Sequence, residues 1–252
     1  MQIEKIKKQG KTYKITLNNG EVITTYDNVI IQNGLLYHKK INEKTLNKIN
    51  TDTEYYETYN KVLDMLSKKQ RSENEIKIFL DGKIENPEEI IDNFKQIGLI
   101  NDEKYAKAYT NDKINFTKDG PNKIRKDLEE NKINEKYIQN AIESIDENIL
   151  KERIDKIINK KISTNTKDTA IILKQKIYMY LINLGYDSSM IKEILENHQI
   201  NNKNLEKQMQ KEYEKLSKKY QNNELKFKLK NKLYAKGYTI EEINEFIEKN
   251  LD

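Results

Sequence analysis

The chain of 252 residues contains no cysteine and no tryptophan, and only two prolines and eight glycines. Without cysteine it can form neither disulfides nor thiolate metal sites, and it has no cysteine nucleophile. Hydrophobic residues make up 36% of the chain and charged residues 35%, which is too little apolar material to fill one large spherical core. The apolar runs are too short to span a bilayer, and residues 1–10 are charged rather than signal-like. We therefore expect a soluble, cytoplasmic protein of thin or elongated architecture.

Positive charge exceeds negative charge only slightly, with 46 Lys plus Arg against 41 Asp plus Glu. An excess of this size permits contact with nucleic acid without requiring it. Nearly all of the positive charge is lysine, because arginine occurs only at Arg71, Arg125 and Arg153. Three lysine pairs, Lys68-Lys69, Lys160-Lys161 and Lys218-Lys219, fall near predicted helix ends. There they complement the helix dipole, which is a sufficient structural explanation for each pair.

Residues 1–41 are predicted to form β-strands, because polar and apolar side chains alternate at Gln2–Lys7 and at Thr12–Leu17. Asn18-Asn19-Gly20 and Asn33-Gly34 mark tight turns, since both residue types tolerate positive φ. The predicted strands are Gln2–Lys7, Thr12–Leu17, Glu21–Tyr26, Asn28–Ile31 and Leu35–His38. The sequence therefore predicts a small antiparallel sheet of four or five strands.

From about residue 54 onward the apolar period becomes helical, and a repeat emerges. Four copies align on the anchor residues Leu66, Leu128, Leu181 and Leu233. The positions four residues before, ten after and fourteen after the anchor are aliphatic in every copy. These residues are Val62, Ile124, Ile177 and Leu229, then Ile76, Ile138, Ile191 and Ile243, then Leu80, Ile142, Leu195 and Ile247. Apolar residues four apart share one helix face, so each copy is predicted to be two helices joined by a short turn.

Turn and capping residues support this interpretation. Gly185-Tyr186 and Gly237-Tyr238 follow the anchors at the same distance, and each predicts a glycine helix end against which the aromatic packs. Ser72-Glu73-Asn74-Glu75 has the pattern of a capping box. Asp119-Gly120-Pro121 places proline in a first helical turn, where it is well tolerated.

The anchors are 62, 53 and 52 residues apart, which is more than two helices use. The linking stretches are therefore predicted to hold further helices, at Glu88–Ile97 with Glu103–Asn115, at Glu147–Lys161 and at Asn204–Tyr220. The predicted fold is mainly α, with tandem three-helix repeats in an elongated, curved solenoid-like array and a small N-terminal antiparallel β domain. The segments are 1–50 for the β domain, 51–115, 116–170 and 171–221 for repeats one to three, and 222–252 for a C-terminal helix pair that forms a partial fourth repeat.

Three segments carry a resemblance to a known family. They are Arg71-Ser72-Glu73-Asn74-Glu75-Ile76, then Ile97-Gly98-Leu99-Ile100-Asn101-Asp102-Glu103-Lys104-Tyr105-Ala106, then Gly120-Pro121-Asn122-Lys123-Ile124-Arg125-Lys126-Asp127-Leu128. Their order and spacing resemble the successive signatures of the RecX family, from about residue 60 to the C-terminus. Two positions depart from the family pattern: Asn101 stands where acidic residues are common, and Lys132 replaces a usual glycine.

The resemblance implies a regulatory protein that performs no chemistry and carries no cofactor. RecX proteins bind along the groove of the RecA filament on single-stranded DNA and inhibit its ATP hydrolysis, strand exchange and co-protease activity in recombination and SOS-type DNA repair. It also implies contact with DNA mainly through the filament, with weak direct DNA binding at most. We expect a monomer that does not associate with membranes.

Five residues are candidate contacts to the partner or to nucleic acid: Arg71, Lys123, Arg125, Lys126 and Tyr105. Arginine offers a planar fork for phosphate or carboxylate, but Arg125 can equally pair with Glu129 one helical turn away. Arg71 can bind a partner or interact with the helix that follows it. Tyr105 can stack on a base, although its helical spacing favours packing.

Two alternatives from other classes stay open. A helix-turn-helix regulator of transcription would need one concentrated basic recognition helix, whereas lysine here is spread over all repeats. A helical scaffold for other proteins would be indifferent to recombinase and DNA. An enzyme is the weakest alternative, because the sequence has no nucleotide loop, metal cluster or catalytic triad. We assign no catalytic residue and no metal site.

Overall fold

The structure is a computed structural model that describes residues 1–200 and 205–251. Within those residues it contains one three-stranded antiparallel sheet and 13 helices. The strands are β1 Ile3–Gln9, β2 Thr12–Leu17 and β3 Val22–Thr25. The helices are α1 Asp27–Gln32, α2 Glu43–Lys68, α3 Glu73–Leu80, α4 Pro87–Gln96, α5 Asp102–Phe116, α6 Pro121–Glu130, α7 Glu135–Glu143, α8 Glu147–Ser163, α9 Ala170–Asn183, α10 Ser188–Glu196, α11 Leu205–Ser217, α12 Asn222–Ala235 and α13 Ile240–Leu251.

The chain divides into two compact units. The first contains Met1–Lys107 and Glu130–Tyr137, and the second contains Ala108–Glu129 and Ile138–Asp252. The division into five segments stays a prediction. In the part of the chain that the structure describes, no helix combines the length and apolar character needed to cross a membrane.

The N-terminal sheet has the strand order β1-β2-β3, with both neighbours antiparallel. Ile15 at the centre of β2 pairs with Ile6 on one side and Ile23 on the other. Alternation along β2 buries Ile15 and Leu17 on one face, where they join the core that the sheet shares with α1 and α2. Gly20 has φ 85° in the turn before β3, so the predicted turn at Asn18-Asn19-Gly20 is confirmed.

The predicted strands Asn28–Ile31 and Leu35–His38 are wrong, and the sheet has three strands rather than four or five. The first segment lies in α1, where the neighbouring residues Val29 and Ile30 are both buried. A strand would have pointed these two side chains to opposite faces, so packing overrides their β-propensity. Asn33-Gly34 ends this helix instead of turning a hairpin. The Leu35 N–H donates to the Ile30 carbonyl at 3.0 Å, and Gly34 has φ 61°, which is a Schellman helix end.

The four predicted helix pairs are confirmed as α2–α3, α6–α7, α9–α10 and α12–α13. Of the sixteen aliphatic repeat residues, fourteen are buried, and only Leu66 and Ile142 are partly exposed. The capping box at Ser72 and Glu75 is present with both of its hydrogen bonds. Pro121 begins α6 as predicted. The repeat pattern therefore marked the buried face of each pair.

The glycine turns of the third and fourth pairs are also confirmed. Gly185 and Gly237 have φ of 87° and 82°, and the aromatic residues that follow them, Tyr186 and Tyr238, are 1% and 2% exposed. The turn of the second pair has the same backbone form with a side chain present, because Lys132 has φ 56°. Lys132 stands at the repeat position that glycine occupies in the third and fourth pairs.

Within the second unit, the start of α6 docks on the turn between α9 and α10 through the backbone. The Gly120 N–H donates to the Leu184 carbonyl at 2.6 Å, and the Asn122 N–H donates to the Gly185 carbonyl at 2.9 Å. A Cβ atom on Gly120 would lie 2.6 Å from the Gly185 carbonyl carbon, closer than real contacts allow. Both glycines are therefore needed because two backbones touch.

The start of α9 docks in a similar way on the turn between α12 and α13. The Thr169 hydroxyl donates to the Lys236 carbonyl at 3.3 Å, and a Cβ on Gly237 would lie 2.7 Å from Ile172 Cγ1. The first helix of one pair thus rests on the turn of the next pair, twice in succession. This arrangement fixes the loop before α9 beside α11 and the α12–α13 turn.

The stretches between the pairs are helical as predicted. They contain α4 with α5, then α8, then α11. The prediction Asn204–Tyr220 corresponds to α11, and its first residue, Asn204, lies outside the described residues. Asp146 caps α8 by accepting the N–H of Asn148 at 2.9 Å, which satisfies an otherwise unpaired donor of the first turn.

Candidate nucleic-acid interface

Three of the five predicted contact residues lie on α6 in the second unit. Lys123 and Lys126 are exposed and Arg125 is half-buried. Lys123 Nζ lies 2.7 Å from Asp119 Oδ1, and the Arg125 guanidinium donates to the Gln139 side chain on α7. Lys123 therefore has a partner just before α6, and Arg125 has one on α7. Their contact with another molecule stays a prediction.

A carboxylate network lies at the start of α6. Lys113 Nζ lies 3.2 Å from Asp119 Oδ2 and 3.0 Å from Asp127 Oδ2. The Tyr109 hydroxyl donates to Asp127 Oδ2 at 2.7 Å. Burial alone lowers the pKa of Lys113, but hydrogen bonds to Asp127, Tyr109 and Asp119 outweigh it and raise that pKa above its ordinary value. The network therefore links α5 to α6, and the charge of Lys113 is balanced by Asp119 and Asp127 within the second unit.

Arg153 on α8, which the sequence analysis did not single out, organises the segment after α5. Its guanidinium donates to the carbonyl of Ile114, to that of Thr117 at 2.8 Å and to that of Asp119 at 3.2 Å. Its Nε also donates to the Tyr186 hydroxyl at 3.1 Å. Carbonyls at a helix C-terminus lack hydrogen-bond donors within the helix. Arg153 donates to such carbonyls at the end of α5 and in the loop that follows, so its role is structural.

The other two predicted residues, Arg71 and Tyr105, lie in the first unit. Arg71 Nη1 lies 3.0 Å from Glu75 Oε1, which agrees with the interpretation that Arg71 interacts with the helix that follows. The Tyr105 side chain is buried, with 5% exposure, and leaves no open ring face for a base. Burial favours the packing interpretation of Tyr105 over base stacking.

A strongly basic concave surface lies in the second unit, where three adjoining clefts form what we call the lysine groove. The clefts have volumes of about 310, 380 and 460 Å³. The first and second share Lys161 and Thr164, and the second and third share Thr166 and Lys167. Ten lysines line the groove: Lys118, Lys156, Lys160, Lys161, Lys167, Lys176, Lys207, Lys211, Lys215 and Lys236.

Only two carboxylates among the described residues line the same groove, and lysines neutralise both. Asp168 Oδ1 lies 2.6 Å from Lys176 Nζ, and Glu212 Oε1 lies 2.7 Å from Lys236 Nζ. Lys236 and burial act in opposite directions on Glu212, and the lysine holds the pKa of that carboxyl below its ordinary value. Lys215 also pairs with Glu212, and Lys156 pairs with Glu152.

Six groove lysines have no ion pair in the part of the chain that the structure describes. They are Lys118, Lys160, Lys161, Lys167, Lys207 and Lys211. Uncompensated cations along a concave surface concentrate positive potential there and attract anions. The floor of the first cleft is apolar, since Ile157 and Tyr180 line it and Lys161 Nζ lies 4.1 Å from the centre of the Tyr180 ring.

The sequence held a partial signal for this surface. Lys207, Lys211 and Lys215 follow one another at intervals of four residues and so share one face of α11. Lys160 and Lys161 lie in the last turn of α8, as the helix-dipole interpretation predicts, and both also line the groove. The remaining lysines meet only because the fold brings together the loop before α6, α8, the loop before α9, α9 itself and the α12–α13 turn. Among the described residues, no three His, Asp or Glu side chains form a group able to hold a metal ion.

Comparison with known proteins gives a consistent set of similarities. A family model described as RecX, second three-helix domain, matches residues 101–142. The chain is 30% identical to the regulatory protein RecX of Streptococcus agalactiae serotype III, with 100% of each chain covered. It is 26% identical to the regulatory protein RecX of Oceanobacillus iheyensis, covering 97% of this chain and 95% of the relative. A crystal structure of a regulatory protein RecX is similar with a TM-score of 0.66 at 26% identity, covering 78% of this chain and 99% of that one.

Proposed function

The chain belongs to the RecX family of regulatory proteins, and on that premise we propose that it regulates the RecA recombinase by binding the filament that RecA forms on single-stranded DNA. In this proposal the bound chain inhibits ATP hydrolysis, strand exchange and co-protease activity in recombination and SOS-type DNA repair. It acts in the cytoplasm through its surface and catalyses no reaction. Arg71, Lys123, Arg125 and Lys126 remain candidate contacts with the filament.

The lysine groove is the observation that carries this proposal. A recombinase filament encloses an anionic strand, and the phosphates of a strand attract lysines largely without regard to sequence. The groove presents six lysines without ion pairs among the described residues, across three adjoining clefts, so it can follow a backbone over several phosphates. A row of such contacts adds up through effective concentration even when each one is weak.

Mixed charge on the rest of the chain suits a partner made of protein and nucleic acid together. The net charge is only +5 although 35% of the residues are charged. Acidic surfaces can therefore meet basic surfaces of the recombinase while the groove meets phosphates. Because both kinds of surface find a partner in a filament, a filament is favoured over naked DNA as the main partner. Direct binding to DNA is then the weaker interaction.

The helix-turn-helix alternative is less well supported. A recognition helix reads base edges with several side chains of one helix placed in the major groove. The groove lysines instead come from α8, α9, α11 and the loops beside them, which suits contact with a sugar–phosphate chain. A scaffold indifferent to DNA would have no use for so many uncompensated lysines on one concave surface.

The test measures ATP hydrolysis by RecA on single-stranded DNA while the chain is added up to stoichiometric amounts. We expect the rate to fall with added wild-type chain. The double variant Lys207→Glu with Lys211→Glu should require at least about tenfold more protein for the same inhibition, since two phosphate contacts are lost and two repulsions gained. Both side chains are exposed, so their replacement leaves the core intact.

The matched control is Lys44→Glu with Lys48→Glu on α2, which are also exposed and four residues apart. This control changes the net charge by the same amount outside the lysine groove, and it should inhibit like the wild type. No inhibition by the wild-type chain would contradict the proposed function. If both double variants inhibit ATP hydrolysis equally weakly, net charge rather than the groove governs binding.

A further inference from the structure

Helix α12 has an outward face with an unusual composition. Leu225, Leu229 and Leu233 form its buried stripe. On the opposite side Phe227 and Tyr234 are 62% and 66% exposed. Residues seven apart lie almost in line along a helix, so the two rings stand on one face, about 10 Å apart along its axis.

Lysines flank this pair of rings. Lys230 lies between Phe227 and Tyr234 on one side of the face, and Lys228 lies on the other, with Asn231 between the rings. Helix α12 contains four lysines and one acidic residue, Glu224. In the described part of the chain neither Lys228 nor Lys230 takes part in an ion pair. We call Phe227, Lys228, Lys230, Asn231 and Tyr234 the α12 face.

The four-copy repeat shows how this face differs from its equivalents. Five residues before the anchor, every copy has a lysine: Lys61, Lys123, Lys176 and Lys228. In the first three copies a carboxylate of the same helix or of its N-terminal flank neutralises that lysine. The pairs are Lys61–Glu57 at 2.6 Å, Lys123–Asp119 at 2.7 Å and Lys176–Asp168 at 2.6 Å.

The fourth copy also has a carboxylate four residues before its lysine, Glu224, but no ion pair joins Glu224 to Lys228 in the part of the chain that the structure describes. Lys228 Nζ instead lies 5.7 Å from the centre of the Tyr220 ring, a contact that leaves its positive charge uncompensated. Two exposed aromatic rings therefore accompany a repeat lysine that no carboxylate of the described residues neutralises. Phosphates and base rings are the two chemical groups that such a surface complements together.

We infer that the α12 face binds single-stranded nucleic acid, with bases stacked on Phe227 and Tyr234 and phosphates held by Lys228 and Lys230. The inference deepens the proposed function and rests on it, because it assigns the base contacts of the same strand that the groove holds by its phosphates. In a duplex the base faces are covered by their neighbours, so only an unpaired strand can stack on these rings. The rings are farther apart than the roughly 3.4 Å between adjacent stacked bases, so each takes a different base. The α12 face thus confers preference for single strands, whereas the lysine groove by itself does not.

The direct test uses the absence of tryptophan from the chain. Phe227→Trp introduces the only tryptophan of the chain, at one of the two ring positions of the α12 face, where it can be excited separately from the 16 tyrosines. Titration with oligothymidylate should quench its emission, while a duplex of the same length should leave the emission largely unchanged. The matched control is Tyr37→Trp in the first unit, where the native side chain is 87% exposed, and its emission should not respond. Equal responses of the two variants, or no response of the Phe227→Trp variant, would overturn the inference.

A second measurement separates this inference from the proposed function. Phe227→Ala with Tyr234→Ala should lower the affinity for oligothymidylate at least about tenfold, as expected for the loss of two stacked bases, with duplex affinity unchanged. Circular dichroism checks that the variant folds like the wild type. Unchanged single-strand affinity together with weaker binding to RecA filaments would mean that the α12 face docks protein, and the inference would fall. If the wild-type chain inhibits RecA but its α12 face does not stack bases, the inference alone is overturned. If the α12 face stacks bases but the chain does not inhibit RecA, the proposed function alone is overturned.

Discussion

Replacing Lys207 and Lys211 by glutamine should change how strongly salt weakens the binding of single-stranded DNA to the chain. Six groove lysines have no ion pair among the described residues. Each phosphate contact on a single strand contributes about −0.7 to the slope of log affinity against log salt concentration, so six contacts give a slope of about −4. The double variant keeps four contacts and should give about −3.

The difference is large enough to measure by fluorescence anisotropy with a labelled oligothymidylate. Between about 50 and 200 mM salt the wild type should lose affinity about 300-fold and the variant about 50-fold. Lys44→Gln with Lys48→Gln removes the same charge outside the groove and should keep the wild-type slope. A wild-type slope no steeper than about −1, or a slope that the groove variant leaves unchanged, would refute the reasoning.

Three further predictions concern the fold around the site. Lys132→Gly should raise the free energy of unfolding by about 1 kcal/mol in urea denaturation, because Lys132 has φ 56° and glycine adopts that backbone without strain. Gly185→Ala should lower it by about 2–4 kcal/mol in the same assay, since a Cβ there would overlap the Lys123 backbone nitrogen and φ is 87°. The pKa of Glu212 is held below its ordinary 4.5 by Lys236, so its stabilisation is complete above that pH and is lost as the pH falls through the lowered value. Glu212→Gln should therefore cost about 1.5–3 kcal/mol at pH 7, and that difference should shrink toward zero at a pH below the lowered value; a difference independent of pH would contradict the ion pair.

The helical repeat could be predicted from the sequence because its signals are local. Apolar residues four apart define a helix face whatever surrounds them, and Gly185 and Gly237 end their helices in a positive-φ conformation that glycine adopts without strain. The capping box at Ser72 is equally local, as both partners lie within four residues. The structure contains these features as predicted, because each of them depends only on residues that are close together in the chain.

The error at Asn28–Ile31 has a different origin. The turn signal at Asn33-Gly34 suggested a strand on each side of it, but burial of both Val29 and Ile30 against the sheet and α2 selects a helix. Asn33-Gly34 is compatible with a hairpin turn and with a helix end, since both need positive φ at the glycine. Only the tertiary packing distinguishes these two outcomes.

The lysine groove could not be predicted from the sequence, because it too depends on tertiary packing. Lys118 and Lys236 are more than a hundred residues apart, and nothing in the local sequence links them. Their common surface depends on two successive dockings, of α6 on the turn at Gly185 and of α9 on the turn at Gly237. The sequence could have flagged the lysines of α11 by their spacing, but not the concave surface to which they belong.

Binding of the labelled chain to RecA filaments assembled on single-stranded DNA with a non-hydrolysable ATP analogue tests the central claim most directly. The account predicts that the wild type and the Lys44→Glu, Lys48→Glu control bind with equal affinity. It also predicts that Lys207→Glu with Lys211→Glu binds at least about tenfold more weakly. Filaments that fail to bind the wild-type chain, or that bind the groove variant as tightly as the control, would contradict it.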